Sequence, residues 1–580
     1  MATPLPTSGI SNQRGSLPLR PADDVMDLER LGTLHPYRLS FMRILMRRIM
    51  NERWVIQRRM FDLDENGYGT AIYTIDAAHG RFSFVVFAHH LDPEKRSDRV
   101  IADQWDMTVT LCEGDVDEEQ LQLLRQNVPL QEAGRIDARN IVLSRANKSS
   151  RNFDYVVAEL AAGRQPALAK IAQVGYLYRT TAVYGSGKFG MADWQKVHLM
   201  HADFARPFAA EMFTCFMIRQ FSLEQAESIA RARSPDTAVP MDDAIKRYMG
   251  IGNATGLGMA PYLINHPQLI SRWIEVRETA LARIVEAGEA SEEKFELLQS
   301  LLRKAAQHLA EIATDNEVQN QRNGVTKAEL EEVSRWIENQ RSINWSALLD
   351  KALLSWSYET QELINSLLTE MYPELVDELE DSLCVSESMN LIPDQRLTDI
   401  RDLIESRYGW ALNIDFDAPG SRDVFWYRSL EKLEPRLGQC GVDPGEDKAI
   451  KIAVAYDVRQ CYDRVCECLQ SENGVSAAQF AIEYPELRSI LRRIQAMSQS
   501  VYGDIHANLT DTEVLPINLL RCKLSFFGVS KFDPKSRLWV RNTMFQGAPL
   551  ASDIGSDFAD DWYFPVMPAI DQENAQSTCR

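Results

Sequence analysis

The chain has 580 residues, 45% hydrophobic and 25% charged, with a formal net charge of −20. Those proportions are ordinary for a folded soluble protein, while the acidic total argues against general nucleic-acid binding and against an anionic membrane surface. Nine cysteines at irregular spacing read as reduced thiols and not as a disulfide framework, and no run approaches the ~20 apolar residues of a membrane span.

Residues 1–25, opening "MATPLPTSGISNQRGSLPLRP", are rich in Pro, Ser and Gly and lack the apolar core of a secretory signal. A flexible arm on a cytoplasmic protein is the expectation. The 26–135 region reads as α+β. Apolar and arginine positions interleave at helical spacing from Tyr37 through "MRRIMNERWVIQRRMFDLD", which predicts one helix. "GTAIYTI" and "RFSFVVFAHH", joined by "DAAHG", then "WDMTVTLC", predict an antiparallel sheet over about 69–112. Trp105, Met107, Val109 and Leu111 alternate with Asp106, Thr108 and Thr110, so one face is expected to be wet or ligand-facing. Asp117 and Gln120 open a helix, with Val116 and Leu121 as its staple.

Residues 136–410 read as a helical core region carrying the candidate site. Phe295, Leu298, Leu302, Ala305, Leu309 and Ile312 form one stripe, and Thr326 with Glu329 forms a capping box. The 411–565 region is mixed. "GWALNIDF" and "DVFWYR" predict strands, "EDKAIKIAVAYDVRQCYDRVCECLQ" a helix, and "LRCKLSFFGVSKFDPKSRLWVRNTMF" strands turning at Asp533-Pro534. Residues 566–580 are a tail. The fold class is α+β, predominantly helical, with an N-terminal antiparallel sheet and a smaller mixed C-terminal region. Whether the end strands share one sheet is open from the sequence.

The chemistry concentrates at "TTAVYGSGKFG", residues 180–190. It is not a nucleotide P-loop, because Phe189 follows Lys188 where a magnesium-binding hydroxyl belongs and Ala182 stands where the first glycine belongs. Tyr184 and Lys188 are four apart, and a nearby cation favours phenolate. Between Arg135 and Gly190 there are nine cations against three acids in an acidic chain. Cations mixed with hydroxyls and glycines are the parts of an anion site. Arg179, Ser186 and Lys188 fall inside that island. A second glycine cluster, "GIGNATGLGMAPYLINHP" at 250–267, reads as a tight buried loop that supplies Asn253, Thr255 and His266. Arg428, beside Trp426 and Tyr427, can clamp a carboxylate. His198 and His201 are three apart but lack a third ligand, so no metal is expected there.

The resulting expectation is a cytoplasmic metabolic enzyme acting on a small carboxylate or phosphate. Its chemistry would be lyase, isomerase or hydrolase proton transfer without a cofactor. Tyr184, Lys188 and His266 would be catalytic, while Arg179, Ser186, Asn253, Thr255 and Arg428 would bind substrate. A homodimer without nucleic-acid or membrane partners goes with this reading. The alternative is a helical oligomeric scaffold joined through the stripes at 291–345.

Overall fold

The computed structural model describes residues 18–91, 105–133, 139–180, 197, 199–256, 266–312, 314–340, 342–418, 426–429, 435–437, 449–471, 474–506, 515–536 and 539–569. Helix makes up 55% of it. The strands are β1 (Val55–Leu63), β2 (Gly69–Asp76), β3 (Arg81–Ala88), β4 (Met107–Glu113), β5 (Asn140–Lys148), β6 (Tyr176–Thr180) and β7 (Gly250–Gly256). Then come β8 (Trp426–Ser429), β9 (Pro435–Leu437), β10 (Ala449–Ile452), β11 (Lys531–Ser536) and β12 (Trp539–Met544). The helices that border the sheet and the buried polar clusters are α1 (Phe41–Asn51), α2 (Glu118–Asn127), α3 (Ala209–Arg233) and α4 (Pro267–Glu286), followed by α5 (Glu292–Glu311), α6 (Glu317–Glu338), α7 (Tyr358–Met371) and α8 (Leu515–Phe527). No helix among the described residues is long and apolar enough to cross a membrane.

One nine-stranded sheet organises the molecule, in the order β1-β2-β3-β4-β5-β6-β7-β12-β11. Every neighbouring pair is antiparallel except β6–β7. The sheet is therefore wider than the predicted 69–112 hairpins. It recruits β5, β6 and β7 from the region read as helical, and the C-terminal β12–β11 pair docks on β7. The three-stranded sheet β10-β8-β9 stands apart from it.

Helix α3 lies against the sheet at β4–β7 and is buried along most of its length. On the opposite face α2 closes a second core, in which Ile72, Val85, Phe87, Cys112 and Leu143 meet Val116, Leu121, Leu124 and Val128. Both faces of β4 are thereby covered, and Thr108 and Thr110 are buried. This corrects the expected wet side: alternation marks a polar face, but packing decides whether water reaches it. Asp117 does cap α2, its carboxylate accepting from the Gln120 amide at 2.8 Å.

Other elements also depart from the expectation. The helix predicted from Tyr37 stops at Asn51, where Arg53 takes a left-handed φ of 53°, and the chain continues as strand β1. The Thr326–Glu329 box lies inside α6, which Asn316 caps instead, by accepting from the Gln319 amide at 2.9 Å. Glu329 caps the next long helix in space, accepting from the Ser357 amide at 3.1 Å and its hydroxyl at 2.6 Å. "GWALNIDF" forms a short helix at Gly409–Leu412, and residues 449–452 are strand before helix Val454–Ser471 begins. Asp533 and Pro534 sit within β11, not at its turn. An edge strand tolerates the missing amide of proline.

Helix α7 is buried along most of its length although it reads "YETQELINSLLTEM". Polar groups survive burial only when partnered. Thr360 donates to Glu329 at 2.5 Å, Gln361 donates to the Trp356 carbonyl at 2.6 Å, and Glu362 accepts from two arginines.

Candidate functional site

The parallel β6–β7 pair places Tyr176–Thr180 beside Gly250–Gly256. Arg179 is in register with Gly252, and Tyr176 with Gly250. Both strands run in one direction, so Thr180 and Gly256 end them on the same side of the sheet. In open sheets that contain parallel strands, the crevice beyond their carboxyl ends is the usual ligand position.

Register also assigns faces, because directly paired residues project to the same side. One row across the sheet is Asn147, Arg179, Gly252, Thr543 and Lys531. Ala254, Arg541 and Asp533 lie in the adjacent row, on the same face as Arg145 of β5. Strands are about 4.8 Å apart, so Arg145, Arg179, Arg541 and Lys531 come from four strands to one face, where Asp533 also pairs with Lys535 at 2.9 Å and Lys535 in turn with Asp315 at 2.9 Å. Arg145 is buried, with its guanidinium 3.9 Å from the centroid of the Trp105 ring. Arg541 donates to Asp533 at 3.0 and 2.6 Å. Lys531 donates to the Ala172 carbonyl at 2.9 Å, and burial lowers its ammonium to about 8. Gly252 is required here: a Cβ would lie 2.5 Å from the Tyr176 ring.

The opposite face carries Asn253 and Asn542, which are directly paired and both buried. Asn253 donates its side-chain amide to the Thr180 carbonyl at 2.9 Å. Neither amide atom of Asn542 has a hydrogen-bond partner among the described residues. Ser144 and Thr180 hydroxyls meet nearby at 3.4 Å.

The remaining predicted residues are distributed as follows. Tyr184, Ser186, Lys188 and His198 lie outside the described residues. Thr255 is on β7, in register with Val540. His266 occupies the N-cap position of α4, and its ring centroid is 6.0 Å from that of Phe208, a residue with a left-handed φ of 58°. Arg428 is on β8 of the separate small sheet, paired with Ile450 and Pro435. His201 packs against Phe82, with ring centroids 5.8 Å apart, while nearby Asp203 accepts from His79 at 3.0 Å. No group of three or more potential metal ligands occurs among the described residues.

The basic island does not stay together as a patch. Arg164 pairs with Glu159 at 2.7 Å, Lys170 lies 3.5 Å from the Tyr155 ring centroid, and Lys148 lies 4.5 Å from that of Phe153. Arg145 and Arg179 are the members that the sheet carries to the β7 neighbourhood. Lys531, Arg541 and Asn542 were not singled out from the sequence. Their partners on β7 and at Ala172 lie far away in the chain, and no local pattern joins them to those partners. Comparison with protein-family models, with curated proteins and with solved structures finds no match to this chain.

Proposed function

We propose that the protein binds a small organic anion, a carboxylate or phosphate, on the β6–β7–β12 face and acts on it by proton transfer in the cytoplasm. The observation that carries this reading is the register that sets Arg145, Arg179, Arg541 and Lys531 against Asp533 around Gly252. Guanidinium groups present forked donors suited to carboxylate and phosphate. Tyr184 and Lys188, in the segment after β6, and His266, before α4, are the groups assigned to move the proton. Ser186 and Thr255 would add hydroxyls to the anion's shell. No cofactor enters this scheme.

The test is thermal unfolding of the full chain with phosphate and with a series of small carboxylates. A ligand at about 100 times its Kd stabilises the folded state by about 2.7 kcal/mol. A raised Tm whose increment shrinks in Arg179→Gln is the expected result. A Tm that no anion moves, or that moves equally in the variant, ends the reading.

A second reading, an oligomeric scaffold, has one specific observation in its favour. Leu353 and Leu354, on helix Trp345–Ser355, are 60% and 85% exposed. Adjacent exposed leucines are common features of interfaces. Sedimentation velocity is expected to show a dimer that Leu354→Glu dissociates, and a monomer at all concentrations rejects it.

A further inference from the structure

We propose a second anion site, independent of the sheet face, in the cleft between Arg322, Glu359 and Arg521, which takes the oxyanion head group of a small organic acid. Three helices build it. Arg322 comes from α6, Glu359 from the first turn of α7, and Arg521 from α8, while His35 arrives from the loop before α1.

The cluster has more positive than negative charge. Glu359 is 8% exposed, and its Oε1 accepts from Nη2 of Arg521 at 2.7 Å. The same oxygen lies 3.8 Å from Nη1 of Arg322. Its Oε2 is 3.5 Å from Nε2 of His35, a ring nitrogen that also sits 3.1 Å from the Glu359 carbonyl oxygen. Burial holds the His35 imidazole towards its neutral form, against the pull of Glu359. Two guanidiniums therefore share one carboxylate oxygen. Burial, and after it the charge of Arg521, disfavours the charged form of Arg322. Glu29, at the mouth, is exposed, and its charge is screened by solvent.

Donors are also in excess. Arg521 is 2% exposed, yet its Nε and Nη1 meet no acceptor among the described residues, and neither does the buried Nη1 of Arg322. A buried donor without an acceptor costs about 1–3 kcal/mol, more when charged. Glu359 takes Arg521 Nη2 and none of these three donors. An oxyanion supplies both a second negative charge and several lone pairs.

The space around the cluster fits a small acid. An inner cavity of about 20 Å³ is lined by His35, His308, Glu359, Arg521 and Phe532, among others. It is the size of a single water-sized group. An outer cavity of about 210 Å³ is lined by Thr33, Gln321, Arg322, Val325, Tyr358 and Glu359, among others. Glu359 borders both. The head group belongs at that junction, and the carbon body lies outward against Val325 and Tyr358, whose ring is backed by the Arg30 guanidinium at 4.2 Å.

The experiment is calorimetric titration of the full chain at constant ionic strength with acetate, butyrate, inorganic phosphate and chloride. It is run on the unmodified protein, Arg179→Gln and Arg322→Gln. Arg322 is chosen because its side chain is 22% exposed, whereas Arg521 is enclosed and its loss threatens folding. Butyrate is expected to bind more tightly than acetate and chloride. Arg322→Gln should weaken one butyrate component at least tenfold, and Arg179→Gln should leave that component in place. Butyrate affinity equal in the unmodified and Arg322→Gln proteins overturns the site, as does the absence of any oxyanion binding. Binding lost only in Arg179→Gln overturns it too, while leaving the sheet-face reading intact. Chloride or phosphate binding as tightly as butyrate overturns the assignment to an organic acid.

Discussion

Replacing Glu362 with alanine is expected to cost about 3–5 kcal/mol, the range for removing one partner from a buried ion network. Glu362 Oε1 accepts from Arg20 at 3.0 Å and from Arg30 at 2.8 Å, and Oε2 lies 3.7 Å from Arg277. Glu278 holds Arg20 at 2.7 Å and Arg277 at 2.6 Å from the other side. Without Glu362, three arginines are left with one carboxylate, and Arg30 and Arg277 are almost wholly enclosed. The loss is read from urea unfolding followed by circular dichroism, as a lower midpoint at unchanged slope. A cost below about 1 kcal/mol would mean that the network relaxes or hydrates, and the ion-pair account of the buried α7 would fail.

The same network sets the acid limb of stability. Burial opposes ionisation of Glu278 and Glu362, but the charges of Arg20 and Arg277 outweigh it and hold both carboxyls below their usual range. A carboxyl whose folded pKa is depressed contributes stability above its unfolded value, about 4.3, and loses it as pH falls below that. The unmodified protein should therefore lose stability steeply under acid, and Glu362→Gln should show a flatter limb. Superimposable acid limbs would contradict the linkage.

Arg219→Met is the second large effect, expected at about 3 kcal/mol or more. Arg219 is buried in α3 and makes its hydrogen bonds with backbone carbonyls. It donates to Met249 at 2.6 Å, to Pro549 at 2.9 Å, to Ala548 at 2.8 Å, and to Lys246 and Arg247 at 3.2 and 3.1 Å. Those carbonyls end helix Asp243–Tyr248, lead into β7 and follow β12. One side chain thus ties the entrance of β7 to the C-terminal strands that flank it. Methionine matches the volume and offers no donor, so several buried carbonyls lose partners at once. Urea unfolding measures the cost, and hydrogen exchange at β7 and β12 should accelerate with it. A near-neutral Arg219→Met would show that these carbonyls find other donors.

Much of the local structure was legible from the sequence. The Asp117 cap with its Val116–Leu121 staple, the amphipathic stripe of α5 and the β2–β3 hairpin follow from side chains a few residues apart, and short-range hydrogen bonding and periodicity act at that distance. Boundaries were less legible where two local signals compete. "NERWVIQRR" keeps helical spacing, yet Arg53 turns left-handed and Val55 begins a strand. "GIGNATG" carries no strand signal, because glycine is depleted in strands on intrinsic preference. It becomes β7 because β6 on one side and β12 on the other supply its ladder, and because only glycine fits beneath the Tyr176 ring.

The sequence by itself determined the composition class, the helix-rich α+β character, the Asp117 cap and the presence of cations and glycines suited to an anion. Tertiary structure alone decided which cations keep company. Arg179 and Arg541 are brought near by strand register, and Arg322 and Arg521 by the packing of α6, α7 and α8 around one glutamate. The physical reason is range. Capping and periodicity operate over a turn or two of chain, whereas a charge cluster in a low-dielectric interior depends on contacts between segments hundreds of residues apart. Nothing in the local sequence encodes those contacts.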